Sequence, residues 1–531
     1  MQSIRFLARV CAVISLGAAS VSSTTVAQVP ATPDSALAEA LSRFEGEPLS
    51  LAEAIDLAMQ NSTIILDAQA ALAAARGRTR RERGGFDPEF FSEAATQRDE
   101  VPTSSPFSGA SVLTNNQSSL LSGFRTRLTT GTELSTSLQA VRASTNSSFA
   151  ALNPQYTTYA QLTVRQPLLA GSGVAADADL RVARLGESSM EAYLDDAVHT
   201  VQAAVVELYW DLYAAERDLA VQGLIRERAA ALLTESQQRA RAGLVGPNQV
   251  ENAKVFLAEQ ELAEIDRQEA LYSISDQLVT LIGASPSGAI ARYRPVDSPP
   301  ADLQIDDPDE LVARAVEANR ALDMARRDID EANVRLRAER RNRLPRVDLV
   351  GTLGSNGLSG DARDVIFGSD TLRSASAGNF ADALRQVGEF EFPRWSVGVD
   401  VTIPIGPRRR GGEIDRLRAE VERAEQRYEG SVRVLKEQVR RFHRELVNGK
   451  QRLAIARRGV DASQEQVRIG LIEYRNGRST AFELVRLGAD LAAAQQRYSQ
   501  ALVRTVKAAA SLSRLTSGVY PFPTQQRSED Q

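Results

Sequence analysis

Side chains suited to catalysis or metal binding are rare in this sequence. Its 531 residues include two histidines, His199 and His443, and one cysteine, Cys11. These are too few for a Cys/His zinc site, for thiol catalysis or for a disulfide framework. Because both histidines fall on predicted helices, we interpret them as surface or packing residues. The sequence therefore predicts no catalytic residue, no cofactor, no metal site and no enzymatic activity.

Arginine clusters at residues 80–83 and 408–410 suggest a different chemistry, the binding of phosphate groups. The net charge of −5 removes the main electrostatic argument for nucleic acid, so no nucleic-acid partner is expected. We interpret both clusters as solvated helix ends. The alternative for residues 408–410 is contact with the phosphate head groups of a membrane.

Long helices are the elements that the composition favours. Only 5% of the residues are aromatic, whereas residues 176–285 and 413–516 are rich in Ala, Leu, Arg, Glu and Gln. After the first 27 residues, no run reaches the roughly 18 apolar side chains of a membrane helix. If the protein enters a membrane, it must therefore do so as strands.

Residues 1–27 have the pattern of a secretory signal. A positive region with Arg5 and Arg9 precedes a short apolar run, and small residues lead up to a cleavage point after Ala27. We therefore expect the mature protein to be exported.

The rest of the chain contains two copies of one pattern. A gapless shift of 257 residues superposes residues 50–88 on 307–345, and both copies begin with a helix-capping signal. The pairs that define the match are Glu53/Glu310, Arg78/Arg335, Arg80/Arg337, Glu82/Glu339, Arg83/Arg340 and Pro88/Pro345. We predict an internal duplication in which each copy runs helix, strands, long helix, tight turn and shorter helix.

The predicted helices have two lengths. Residues 176–242 and 413–475 would form rods of about 100 Å each at 1.5 Å per residue, and four shorter helices would be about 50 Å each. The shorter helices are residues 51–84, 247–283, 308–343 and 481–516. Two short helices end to end equal one long helix, so each copy supplies a long rod and a matching stacked pair. Their apolar spacing suits coiled-coil packing, and an ordinary helix bundle explains it equally well.

Two turns join the long helices to the shorter ones that follow. Gly243 and Gly477 suit the left-handed residue that ends a helix. The next helices are then capped by Gly246 with Pro247, and by Thr480 with Glu483.

Two polar regions rich in Ser, Thr and Gly, residues 86–170 and 346–406, predict strands. A hairpin is expected near residues 122–143, and residues 100–118 and 351–390 are expected to be surface loops. The strand-to-helix junctions are marked by Pro88, Pro167, Pro345 and Pro404. Open sheet edges are not tolerated in lipid, so strands that enter a membrane must be pooled by several chains. A soluble sheet is the alternative.

Residues 49–516 resemble the TolC family of outer-membrane efflux and secretion channels. The resemblance rests on the duplicated helix–strand–helix–helix plan and on short motifs in the family's order. These motifs are Leu51-Ala52-Glu53-Ala54-Ile55-Asp56-Leu57-Ala58, Gln166-Pro167-Leu168-Leu169, Trp395-Ser396-Val397-Gly398 and Tyr474-Arg475-Asn476-Gly477. Each motif is short, but their order and spacing together are specific.

The resemblance implies a fold that is mainly α with a β-barrel part. Duplicated long-helix hairpins would form an α-helical tunnel, and a homotrimer would share a twelve-stranded membrane β-barrel, with four strands from each chain. The extra hairpin near residues 122–143 departs from that number. The implied location is the outer membrane of a Gram-negative-type cell, with most of the chain in the periplasm.

The implied function is that of a passive exit duct in a tripartite efflux or type I secretion system, gated at the periplasmic helix tips. Its partners would be a periplasmic adaptor (membrane fusion) protein, an inner-membrane transporter and outer-membrane lipid. The alternative is a secreted or periplasmic helical-rod structural or adaptor protein without a pore.

The resemblance also implies roles for residues at the helix tips. Glu483 matches an acid of the pore constriction and Arg486 stands where a second acid is common, so ion pairs and a less cation-selective pore mouth are expected. Tyr474 matches a latch tyrosine whose polar partners fall on Asn248 and Gln249. Adaptor docking is implied for Gly243, Leu244, Gly246, Pro247, Gly477 and Thr480, which plain turn chemistry explains equally well.

The predicted organisation has six parts. A signal (1–27) and an N-terminal segment (28–49) precede the first repeat (50–285), with helix 50–85, strands 86–170 and helices 172–285. The next part is a linker or equatorial segment (286–306). It is followed by the second repeat (307–516), with helix 307–344, strands 346–406 and helices 411–516, and then by a tail (517–531).

Overall fold

The structure of the chain is a computed structural model. It describes residues 33–104, 108–286, 292–300, 305–367, 370–406, 408–476, 478–479 and 481–518. The predicted signal at residues 1–27 lies outside these described residues, as does the predicted tail from residue 519 onward.

The described residues form ten α-helices and ten strands. The helices are α1 Pro33–Ser42, α2 Leu51–Asn61, α3 Thr63–Gly84, α4 Ala178–Arg241, α5 Pro247–Ile282, α6 Pro308–Ala318, α7 Arg320–Asn342, α8 Phe380–Gly388, α9 Arg408–Arg475 and α10 Ala481–Leu515. The strands are β1 Glu47–Leu49, β2 Glu89–Pro102, β3 Val112–Arg127, β4 Glu133–Thr145, β5 Leu152–Pro167, β6 Tyr293–Pro295, β7 Arg346–Ala362, β8 Val365–Phe367, β9 Asp370–Leu372 and β10 Phe392–Thr402.

Two very long helices dominate the secondary structure, as the composition predicts. α4 has 64 residues and α9 has 68, and each is followed by a shorter helix of about half that length, α5 with 36 residues and α10 with 35. The predicted fold class, mainly helical with an antiparallel strand region, is confirmed.

The predicted helices 50–85 and 307–344 are each broken once, which corrects the expectation of continuous helices. The breaks fall at Ser62 and Asn319, whose backbones are extended (φ −62°, ψ 123° and φ −67°, ψ 119°). An extended residue cannot continue the ladder of i to i−4 hydrogen bonds, so a new helix starts after it. The two breaks are 257 residues apart, and so are the first residues of β2 and β7.

The break at Asn319 is stabilised by its side chain. The Asn319 amide donates to the Leu515 carbonyl at 3.0 Å, and its oxygen accepts from the Leu322 backbone N–H at 3.1 Å. Asn319→Ala is therefore expected to lower the free energy of unfolding by about 1–2 kcal/mol, because it removes a buried cap. The measurement is thermal denaturation followed by far-ultraviolet circular dichroism.

The repeat provides a matched control for that substitution. Ser62 lies at the equivalent break and is equally buried, but its side chain makes no capping hydrogen bond to α3. Ser62→Ala is expected to change the unfolding free energy by less than about 0.5 kcal/mol. Equal effects of the two substitutions would contradict the capping role of Asn319.

Six strands form one antiparallel sheet in the order β10-β7-β5-β4-β3-β2. The edges of this sheet, among the described strands, are β10 and β2. The hairpin predicted near residues 122–143 is β3–β4, and it lies inside the sheet rather than beside it. The resemblance implies four strands per chain. That number is wrong for this sheet, which has six strands.

Two segments expected to be surface loops belong largely to regular elements. Within residues 100–118, β2 continues to Pro102 and β3 begins at Val112. Residues 351–390 contain the rest of β7, the hairpin β8–β9 and helix α8. These strands are difficult to recognise in the sequence because their composition is polar. Alternate residues of a strand face opposite sides of the sheet, and only one side is apolar.

The chain divides into two compact units, and each takes segments from both sequence repeats. Among the described residues, the first unit consists of residues 33–44, Glu216–Asp266 and Ala462–Ala492. The described residues of the second unit belong to the segments Glu45–Ala215, Arg267–Asp461 and 493–518, and they include the sheet. Its helical core buries Val201, Val205 and Leu212 on α4.

A buried tyrosine ties α4 to the start of the first repeat. The Tyr209 side chain is fully buried, and its hydroxyl lies 2.9 Å from the Leu49 carbonyl and 2.9 Å from Asp297 Oδ2. The same hydroxyl accepts from the backbone N–H groups of Val296 and Asp297 at 3.2 Å. Asp297 Oδ2 also accepts from the Leu51 N–H at 2.6 Å, so one cluster fixes where α2 begins.

Candidate functional site

The first helix tip is a glycine-ended turn between α4 and α5. Gly243 adopts φ +73°, a left-handed conformation that favours glycine. The Leu244 N–H donates to the Arg239 carbonyl at 2.9 Å, which closes the helix end, and Pro247 begins α5. The Leu244 side chain is 74% exposed. The turn between α4 and α5 thus explains why Gly243 and Pro247 occur at these positions. It also leaves the apolar side chain of Leu244 exposed to solvent at the helix tip.

The second tip joins α9 to α10. Gly477 and Thr480, two predicted tip residues, lie outside the described residues. The Arg478 N–H donates to the Glu473 carbonyl at 2.9 Å, the same spacing of five residues that closes the first tip. The two tips thus share one hydrogen-bond pattern at the ends of the two long helices.

Glu483 and Arg486 form the ion pair that their spacing predicts. Arg486 Nη2 donates to Glu483 Oε1 at 3.0 Å, one turn apart on α10, and both side chains are more than half exposed. An exposed pair of this kind contributes at most about 1 kcal/mol to stability. The pair matters more for the local charge than for stability, because the Arg486 guanidinium partly neutralises the Glu483 carboxylate.

The predicted latch partners Asn248 and Gln249 are exposed residues in the first turn of α5. Tyr474 lies in the last turn of α9, and its side chain is outside the described part of the structure. The latch therefore stays a prediction.

The two histidines lie on the two long helices, His199 on α4 and His443 on α9. His443 Nε2 is 3.1 Å from the Asp306 carbonyl, a contact that ties α9 to the segment before α6. Burial lowers the pKa of His199 on α4. Among the described residues, no group of three or more His, Cys, Asp or Glu side chains could hold a metal ion.

The six-stranded sheet has one apolar face. Directly opposed residues share a face, and one such row crosses all six strands. This row is Phe90, Phe124, Thr136, Leu162, Leu353 and Trp395. Phe90 is 62% exposed and Trp395 is 74% exposed, so large apolar side chains are in solvent at both ends of this row. A contiguous exposed patch of this size marks an interaction with lipid or with another protein.

The opposite face of the same sheet is polar. The neighbouring row is Glu89, Arg125, Ser135, Thr163, Thr352 and Ser396. Arg125 pairs with Glu89 at 2.7 Å, and the hydroxyls of Thr352 and Ser396 are 2.6 Å apart. Apolar and polar residues alternate along β10, and such alternation is the pattern of a sheet that separates lipid from water.

An ion cluster lies on the polar face beside the strand-to-helix junctions. Asp348 is 1% exposed, and its Oδ2 accepts from Arg165 at 2.9 Å and from Arg346 at 2.8 Å. Arg165 also contacts Asp400 at 3.3 Å. These residues border a cavity of about 480 Å³, which Pro167 and Pro404 also line. The cluster joins β5, β7 and β10, and so joins strands of the two repeats.

The four predicted junction prolines lie where strands begin or end. Pro88 and Pro345 directly precede β2 and β7, Pro167 is the last residue of β5, and Pro404 follows β10 by two residues.

Among the described helices, none combines the length and apolar composition needed to span a bilayer.

Three solved outer-membrane channels have a similar fold. The channel OprN is 18% identical, with 88% of this chain and 90% of OprN covered, at a TM-score of 0.60. CmeC of Campylobacter jejuni is 13% identical, with 90% and 87% covered, at 0.60. MtrE of Neisseria gonorrhoeae, in its open state, is 16% identical, with 90% and 91% covered, at 0.59. Identities this low establish the fold alone.

A sequence similarity to a known family lies in the second half of the chain. Residues 311–518 match the family described as outer membrane efflux protein. The match covers less than half of the 531 residues, so it is a similarity of this part of the chain. The predicted resemblance to TolC-like channels is thereby confirmed. A comparison with curated protein sequences gives no match.

Sequence reasoning missed the two buried polar clusters of this protein. Asp348 looked like an ordinary strand residue, and Tyr209 and Asp297 belong to no motif. The available signal was that Arg165, Asp348 and Asp400 lie near the junction prolines, on the side of their strands opposite the apolar residues. Tyr209 had no comparable signal because its partners are 87 or more residues away along the chain.

Proposed function

We propose that this protein is an outer-membrane channel that serves as the exit duct of a tripartite efflux or type I secretion system. The observation that supports this most strongly is the sheet. It presents one exposed apolar face and one polar face, and both of its edges, β10 and β2, are open. Such a sheet is stable in lipid only when its edges are paired, which copies of the same chain can achieve.

In this proposal the apolar face contacts outer-membrane lipid and the polar face lines the pore. A homotrimer would pool the strands, and the long helices would form a periplasmic tunnel. Exposed apolar residues on α5 support contact with another helix: Val255, Leu262 and Ile265 are each about 60% exposed and follow heptad spacing. A periplasmic adaptor would dock at the helix tips, where Leu244 is exposed, and an inner-membrane transporter would supply the energy.

The test of the channel is planar-bilayer conductance of the detergent-purified mature protein, together with its mass in detergent. Stable conductance steps from a particle of three chains are the expected result. A water-soluble monomer without conductance would overturn the channel and favour a helical-rod structural or adaptor protein.

Gating at the helix tips is part of the proposal, with Glu483 and Arg486 setting the charge of the constriction. Arg486→Gln is expected to raise the permeability ratio of potassium over chloride by about two- to fivefold, because an exposed charge interaction of up to about 1 kcal/mol is removed. Glu483→Gln is expected to lower the ratio by a similar factor. Both are measured as reversal potentials in a potassium chloride gradient.

The matched control for the charge ring is Glu465→Gln. Glu465 and Arg468 form an ion pair with the same i,i+3 spacing, but on α9 rather than at the start of α10. This substitution is expected to leave the reversal potential unchanged. If it shifts the potential as much as Glu483→Gln does, the constriction is not at Glu483.

A further inference from the structure

The β3–β4 hairpin is an integral part of the sheet. It lies between β2 and β5, and continuous antiparallel pairing joins it to both. The hydroxyls of Ser92 on β2 and Ser122 on β3 are 2.8 Å apart, as expected for directly opposed residues. The hairpin therefore adds two strands to the surface that the channel proposal places in the membrane.

The hairpin also continues both faces of the sheet. Leu120 and Phe124 on β3 and Leu138 on β4 are exposed on the same face as Phe90 and Leu162 of the flanking strands, and Phe124 lies directly opposite Phe90. A hairpin that left the membrane would expose these side chains to water without a partner. Their placement indicates that β3 and β4 face lipid as the other four strands do.

The stagger of the strands is that of a closed barrel. Glu89 and Arg346 are equivalent first residues of β2 and β7, yet the row of opposed residues that starts at Glu89 reaches β7 at Thr352. Between β2 and β7 the row is therefore displaced by six residues along the strand direction, over the four spacings that separate these two strands. With about 3.3 Å per residue and about 4.8 Å between strands, this corresponds to a tilt of about 45°, at the upper end of the range for barrels.

We propose that three copies of this chain close a barrel of eighteen strands, six from each chain, by pairing β10 of one copy with β2 of the next. The inference rests on the proposed channel function. The edges are suited to each other because both strands are exposed over nearly their whole length, and because Phe90 and Trp395 place exposed aromatic side chains in the same row at the two edges. Pairing them leaves no open edge in lipid.

Eighteen strands make a wider lumen than twelve. Barrel diameter grows roughly linearly with strand number, so the lumen is about 1.5 times as wide as in a twelve-stranded barrel, and barrels of about this size leave an aqueous channel. The barrel then admits hydrated solutes and polymers that a twelve-stranded barrel excludes. Solutes are then selected by size at the helix tips and not in the barrel.

The test compares the full chain with a variant that lacks residues 112–145, which removes β3 and β4. The deletion leaves β2 and β5 antiparallel and adjacent, connected by residues 103–111 and 146–151. Neutral polyethylene glycols of graded size are added on the outer side of a planar bilayer, and the largest polymer that lowers the conductance reports the lumen radius. The cutoff radius of the full chain is expected to be about 1.5 times that of the deletion variant.

The matched control deletes residues 365–372, the β8–β9 hairpin, which pairs only with itself. Its cutoff is expected to equal that of the full chain. An equal cutoff for the full chain and the 112–145 deletion overturns the inference while the conductance still supports the channel. Loss of conductance in the full chain itself would instead overturn the channel proposal.

Two measurements on the full-length chain decide the matter if the deletion variant does not fold. Mass in detergent must give three chains, and a conducting particle of two chains would mean twelve strands and overturn the proposal. Ser92→Cys with Ser122→Cys is expected to form a disulfide within each chain of the conducting trimer. Failure of that disulfide would show that β3 leaves β2 on assembly, and would also overturn the proposal.

Discussion

Asp348→Ala is expected to lower the free energy of unfolding by about 2–4 kcal/mol. The carboxylate is buried and accepts two charge-assisted hydrogen bonds, from Arg165 at 2.9 Å and from Arg346 at 2.8 Å. Its removal leaves both guanidinium groups without that partner on the polar face of the sheet. Both arginines are partly exposed, so water compensates in part and keeps the loss below that of a fully buried triad.

The readout for Asp348→Ala is the midpoint temperature at which the detergent-solubilised protein loses its β-structure and its oligomeric band on a denaturing gel. Asp364→Ala is the control, because Asp364 contacts Arg373 at 3.7 Å with both side chains mostly exposed. That substitution is expected to cost less than about 1 kcal/mol. Midpoints lowered equally by the two substitutions would show that burial of Asp348 does not matter.

Tyr209→Phe is expected to lower the free energy of unfolding by about 2–3 kcal/mol. The Tyr209 side chain is buried, and its hydroxyl is the shared partner of the Leu49 carbonyl and of the Val296 and Asp297 N–H groups. Phenylalanine fills the same volume but leaves these groups without the hydroxyl. The control is Tyr272→Phe on α5, where the side chain is 46% exposed and a change within about 0.5 kcal/mol is expected.

The same tyrosine gives the unfolding free energy a pH dependence. Burial raises the pKa of Tyr209 well above its usual value. The neutral phenol is therefore stabilised in the folded state, whereas the unfolded chain releases its proton near pH 10. This contribution is fully present below pH 10 and is lost as the pH rises further. The difference in unfolding free energy between the native protein and Tyr209→Phe should shrink in that range, and a constant difference would contradict it.

Local signals in the sequence were enough for the helical part of the protein. Periodicity and caps predicted α4, α9 and the shorter helices after them, and Gly243 marked the end of α4. The spacing of Glu483 and Arg486 predicted their ion pair. All of these features depend on residues within a turn or two of one another, where backbone geometry fixes which side chains meet. The roles of the tip residues in gating and docking stay predictions.

Tertiary structure decided the strands and the buried polar clusters. The sequence indicated a hairpin near residues 122–143, but only the pairing of β3 with β2 and of β4 with β5 placed it inside a six-stranded sheet. Arg165 meets Asp348 across 183 residues of chain. Strand register and long-range polar contacts are set by which segments pair, and no spacing along the chain encodes that choice. The sequence by itself thus determined the repeated helices and their turns, and the three-dimensional pairing determined the width of the sheet and the charges on its polar face.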